Sequence, residues 1–109
     1  MPEDIVREVD PLEAKKQIDA GAAVLIDVRE AEEYAAARID GSALFPLSAF
    51  DPNAHASLKG KQVIVHCLMG GRSMRAAQAL APVLGAANVR SMAGGLNAWQ
   101  AMGLPVKNG

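Results

Sequence analysis

The single cysteine of the chain, Cys67, is followed by Leu68, Met69, Gly70, Gly71, Arg72 and Ser73. A thiol with two glycines, an arginine and a hydroxyl close behind it is suited to nucleophilic chemistry at sulfur. The segment KQVIVHC before the loop is an apolar run with β-branched residues, the pattern of a buried strand. The segment SMRAAQALAPVLG after it repeats apolar residues at helical spacing, through Ala76, Ala77, Leu80, Val83 and Leu84. A chain that passes so quickly from strand to helix can turn the helix's unpaired first N–H groups toward the sulfur and form an anion nest. Gly70 and Gly71 are expected to supply backbone angles that a β-carbon forbids. An ordinary thiol, with a pKa of about 8.5, is only about 3% ionised at pH 7. A fall of about two pKa units, roughly 2.7 kcal/mol, raises that to about three quarters. Helix ends and adjacent cations supply shifts of that size, and Arg72 is the cation at hand. The alternative is a buried cysteine acting as a small hydrophobe. The strand before it, the glycines, the arginine and the helix behind it favour the nucleophile.

The remaining candidates have structural readings as well as chemical ones. His66 precedes Cys67 on the strand, so its side chain is expected on the opposite face, as a packed or hydrogen-bonded histidine rather than a base. Asp27 and Arg29 end a neighbouring strand; they either line the edge of the site or hold loops in place. Arg72 either binds an anionic donor or pairs with a carboxylate and orders the loop. Ser73 caps the helix or donates to the sulfur. Leu68 and Met69 are candidates for an apolar rim, and Trp99 for a core residue.

The elements that would position these groups alternate along the chain. IVREV reads as a short strand. DPLEAKKQIDAG reads as a helix with Asp10 as N-cap, Pro11 in the first position, Glu13 completing a capping box and Gly21 past its end. AAVLIDVR is a second buried strand. EAEEYAAAR reads as a short helix, SALFPL as a short strand, and SAFDPNAHASLKG as a loop with a helical turn after Asp51-Pro52. Pro82 should bend the helix behind Cys67 or tighten its last turn. NVRSMA and LNAWQAMG read as a weaker strand and a last helix. Such alternation predicts an α/β layer around a mostly parallel sheet, with ligands bound beyond the carboxyl ends of the strands.

Composition sets limits on the function. With 109 residues, half of them apolar, one domain can bury a core of its own. A net charge of −1 with mixed signs gives no electrostatic case for nucleic acid or an anionic membrane. One cysteine excludes an intrachain disulfide and a multi-cysteine metal site, and suits a reducing compartment. The acidic start, MPEDIVREVD, lacks the apolar stretch of a secretory signal. The expectation is a cytoplasmic protein.

Three segments, in order, resemble the rhodanese family. Residues 67 to 73 resemble its active-site loop, Cys-x-x-Gly-x-Arg-Ser. LIDVREAEEYAAARIDGS resembles its N-terminal motif, and MAGGLNAWQAMGLPV resembles its Gly-Gly…Trp…Gly-x-Pro-Val motif. The departures are Arg38 and Asp40, where histidine and proline are usual, and Leu68, where some thiosulfate-using relatives carry a cation. The resemblance implies one rhodanese domain over residues 1–109, with about five strands, mostly parallel, flanked by helices. It implies a sulfurtransferase in which Cys67 takes a sulfane sulfur from a donor such as thiosulfate, becomes a persulfide, and passes the sulfur to cyanide, a thiol or an acceptor protein. Leu68, Met69, Gly70, Gly71, Arg72 and Ser73 would bind substrate, with Asp27 and Arg29 behind them. No cofactor and no metal are called for. The rivals are a non-catalytic or sulfur-carrier module on the same fold, and a phosphatase or arsenate reductase. The last two place five residues between cysteine and arginine where this chain has four.

Overall fold

The computed structural model describes residues 5–109, with all side chains except those of residues 54–56. The first four residues of the acidic start therefore lie outside the described residues. Strand β1 (Arg7–Val9) is followed by helix α1 (Pro11–Asp19), β2 (Val24–Asp27), α2 (Ala31–Ala36), β3 (Ala37–Arg38) and β4 (Ala43–Leu44). The second half holds β5 (Val63–His66), α3 (Gly71–Leu84), β6 (Val89–Met92), α4 (Gly95–Ala101) and β7 (Lys107–Asn108). Five strands form a sheet in the order β1-β6-β5-β2-β4, every pair parallel.

The apolar strands β2 and β5 occupy the interior of the sheet, as continuous hydrophobic runs require. Alternate residues feed two cores. Val63, Val65 and Cys67 join Ala76, Ala77, Leu80 and Leu84 of α3 on one face, while Leu25 and Ile64 join Ala14, Leu96 and Trp99 on the other. Full burial of each valine or isoleucine of β5 contributes about 1.5–3 kcal/mol, which holds the strand carrying Cys67 firmly in the sheet. From β2 the chain moves outward to β4; from β5 it moves the other way to β6. The order thus reverses between β2 and β5, and a crevice opens at their carboxyl ends. Asp27 ends β2 and Cys67 directly follows β5.

Several sequence expectations change in detail. Asp10 caps α1 by accepting from the Glu13 amide at 2.8 Å. The Glu13 carboxylate does not return the bond; it accepts from Gln17 Nε2 at 3.0 Å, so only half of the box forms. A complete box stands instead at α2, between Glu30 and Glu33. The helix expected through Arg38 stops at Ala36, because Ala37 and Arg38 pair antiparallel with Lys107 and Asn108. Pro82 lies inside α3, which continues to Leu84. Among the described residues, no helix is long and apolar enough to cross a membrane.

Candidate active site

Cys67 follows the last residue of β5, and α3 begins four residues later. The turn between them is set by Gly70, whose φ of +106° is open to glycine and strained for other residues. A β-carbon on Gly70 would also meet the Gly94 backbone at 3.3 Å. Gly71 has no such role: its φ is not positive and a β-carbon there would meet open space. The expectation that both glycines shape the loop is therefore corrected to Gly70 alone.

Loop curvature brings main-chain donors onto the sulfur. The Gly70 amide donates to Cys67 Sγ at 3.0 Å and the Ser73 amide at 3.3 Å. Burial pushes the Cys67 thiol up. Hydrogen bonds from the Ser73 hydroxyl and from the Ser73, Gly70 and Met69 amides outweigh it, and the thiol is held below its ordinary range. The sulfur-bearing residue is only 1% exposed and forms the floor of a pocket of about 450 Å³. Leu68, Met69, Gly71, Arg72 and Arg75 form its walls, with Met69 72% exposed at the rim. Arg75 did not stand out in the sequence.

A second glycine pair fastens the loop from behind. Gly95, at the start of α4, lies so near that a β-carbon would sit 2.5 Å from the Cys67 carbonyl oxygen. The amides of Leu96 and Asn97 donate to the Cys67 and Leu68 carbonyls at 2.8 and 3.0 Å. The Gly-Gly of the last motif thus docks the N-terminus of α4 on the cysteine loop.

The charged candidates separate into two groups. Arg72 reaches Glu33 of α2 with both arms of its guanidinium, at 2.8 and 2.9 Å. That pair holds the Glu33 carboxyl from its ordinary 4.5 down to about 2. Arg72 thus pairs with a carboxylate while also lining the pocket. Glu33 lies 39 residues away and no local pattern singles it out. Asp27 and Arg29 are buried and do not line the pocket. Arg29 Nε and Nη2 hold the Asp27 carboxylate at 2.8–3.1 Å. Arg29 also donates to the carbonyls of Glu33 and Ala37, at 3.4 and 2.7 Å. The end of β2 is thereby tied to the same helix that holds Arg72.

His66 is fully buried on the face opposite Cys67. Its Nε2 lies 3.4 Å from Asp27 Oδ2, without the alignment of a hydrogen bond. Desolvation lowers its pKa, with Asp27 opposing only in part, so the ring is neutral at pH 7. Nδ1 is 3.3 Å from the Cys67 carbonyl oxygen. It is a packed histidine. Trp99 is likewise core, with Nε1 donating to the Pro105 carbonyl at 2.8 Å.

The sequence profile of the Rhodanese-like domain matches residues 10–102. An uncharacterised 16.5 kDa protein of Synechococcus elongatus is 41% identical over 73 residues, covering 61% of this chain and 49% of that protein. Thiosulfate sulfurtransferase GlpE of Actinobacillus succinogenes is 34% identical over 100 residues, covering 92% of this chain and 89% of the relative. The crystal structure of a rhodanese-related protein from Thermoplasma volcanium superposes with a TM-score of 0.81 at 27% identity, covering 93% of this chain and 97% of the other. The chain spans about half the length of the Synechococcus relative.

Proposed function

The chain belongs to the rhodanese-like domain family, and from that premise we propose that it is a sulfurtransferase with Cys67 as the sulfur-carrying nucleophile. The observation that carries this reading is the single sulfur held at the N-terminus of α3 by the amides of Gly70 and Ser73. Those dipoles favour the thiolate, the reactive form of the group. In the first step the thiolate attacks the sulfane sulfur of the donor. With thiosulfate, the donor's sulfur–sulfur bond breaks, its electron pair leaves with sulfite, and Cys67 becomes a persulfide. In the second step a nucleophile attacks the terminal sulfur; cyanide leaves as thiocyanate and the Cys67 thiolate returns. The same amides hold negative charge on the inner sulfur as that bond breaks. These 109 residues hold no second cysteine, so the acceptor comes from outside them, as a thiol, cyanide or a partner protein. A reducing compartment such as the cytoplasm suits a lone reactive thiol.

Two features favour sulfur transfer over oxyanion chemistry. The loop has four residues between Cys67 and Arg72. The guanidinium that an oxyanion would need is occupied by Glu33. In the pocket, Arg75 is the cation without an ion pair among the described residues, and it suits the anionic end of a donor. The apolar rim of Leu68 and Met69 suits donors or acceptors larger than thiosulfate. The test is incubation with thiosulfate and with an organic persulfide, followed by intact-mass measurement and addition of cyanide. A gain of one sulfur atom that cyanide removes as thiocyanate is the expected result. A mass that stays unchanged with every donor overturns the reading.

A further inference from the structure

We propose that Ser91 is a positioning residue for Cys67: its buried hydroxyl donates to Ser73 and orients Ser73 as a donor to the ionised sulfur. The proposal rests on the reading of Cys67 as the nucleophile. Ser91 lies on β6 and is fully buried on the α3 face, in register with Val65 of β5. A hydroxyl in that apolar position needs a partner. It has one in Ser73 Oγ, at 2.8 Å.

The direction of that bond follows from what Ser73 does with its own proton. Ser73 Oγ donates to the Gly70 carbonyl at 3.1 Å and accepts from the Cys67 thiol at 3.5 Å. A serine hydroxyl has one proton and two lone pairs. The proton is committed to Gly70, so Ser91 is the donor between the two serines. This is the resting thiol. When Cys67 loses its proton it stops donating and must accept. The Ser73 hydroxyl then turns from the Gly70 carbonyl to Sγ, while Ser91 continues to donate into Ser73. A hydroxyl that donates to an anion is a stronger acceptor, so the Ser91 bond stabilises the thiolate more than the thiol.

The charged groups around Cys67 lie elsewhere. Arg72 and Arg75 of α3 line its pocket. His66 of β5 meets its carbonyl from the opposite face. Glu8 of β1, in register with Ser91, is exposed; Arg90 of β6 turns away to Gln17, at 3.2 Å, and α4 carries no charged residue. A change at Ser91 leaves all of these in place.

The experiment titrates Cys67 by the ultraviolet absorbance of its thiolate and by the pH dependence of iodoacetamide alkylation. Ser91→Ala is expected to raise the apparent thiol pKa and lower alkylation at neutral pH about three- to tenfold. Ser91→Thr and Ser91→Val match each other in shape and differ in the hydroxyl, so Thr restores the low midpoint and Val does not. In a Ser73→Ala background, Ser91→Ala adds no further shift. An unchanged midpoint in folded Ser91→Ala, or equal midpoints for Thr and Val, overturns the proposal. The titration needs no sulfur donor. Failure to form a persulfide therefore refutes sulfur transfer without touching this relay, and an unmoved titration refutes the relay without touching sulfur transfer.

Discussion

Strands β2 and β5 run side by side, and each ends at a buried acidic group. At the end of β2, Asp27 meets the whole positive charge of Arg29, on two guanidinium nitrogens. At the end of β5, the hydrogen bonds to Cys67 bring only partial charges, from the Met69, Gly70 and Ser73 amides and the Ser73 hydroxyl. A full counter-charge at contact makes an ion pair that organises the chain around it. Amide dipoles stabilise an anion while leaving it an electron pair free to attack a donor. Two neighbouring strand ends therefore carry a group that holds structure and a group free to react, and the kind of partner separates them.

The most severe way to break the comparison is to remove the reactive member. Cys67→Ser is expected to abolish persulfide formation and thiocyanate release, with the thermal midpoint unchanged within a few degrees; retained turnover would show the sulfur to be a bystander. Asp27→Asn attacks the other side. It leaves Arg29 buried against a neutral amide, and such a change costs about 3–5 kcal/mol. Urea unfolding reads the loss, and a cost under about 1 kcal/mol would deny Asp27 its structural role. Inserting one glycine after Gly71 tests the size of the amide ring. It adds up to about 3.5 Å of chain and should lower sulfur transfer at least tenfold with little loss of stability. Parallel losses in rate and in unfolding free energy would refute the geometric argument.

The smallest effect lies at the loop's outer tie. The folded-state pKa of Glu33, about 2, is below its ordinary 4.5. Its pairing with Arg72 therefore stabilises the fold above pH 4.5 and is lost as pH falls from there toward 2. Urea midpoints measured across that window should fall less steeply for Glu33→Gln than for the unaltered chain. Identical slopes would mean that the pair does not contribute to folding.

What the sequence reveals depends on whether a feature is local. Strand β5, the loop and α3 are contiguous, and their apolar periods and the Gly70 turn can be read along one segment. The β3–β7 ribbon has two residues in each strand, too few for a period to register. The partner of Arg72 lies 39 residues upstream and is one acidic residue among several. Arg75, one helical turn beyond Arg72, looks from sequence like any solvated charge. Ser91 left a trace: it follows Val89 by two positions on a strand, so its polar side chain points inward where an apolar one is usual.

One further consequence comes from the depth of the sulfur. With Cys67 1% exposed, reagents too bulky to enter its pocket have almost no approach to the sulfur of the empty protein. A sulfur–sulfur bond is about 2 Å long, so a second sulfur projecting into the pocket would lie that much nearer the mouth. The unloaded chain keeps its thiol sheltered and the loaded one presents its cargo, an asymmetry of access that needs no moving part.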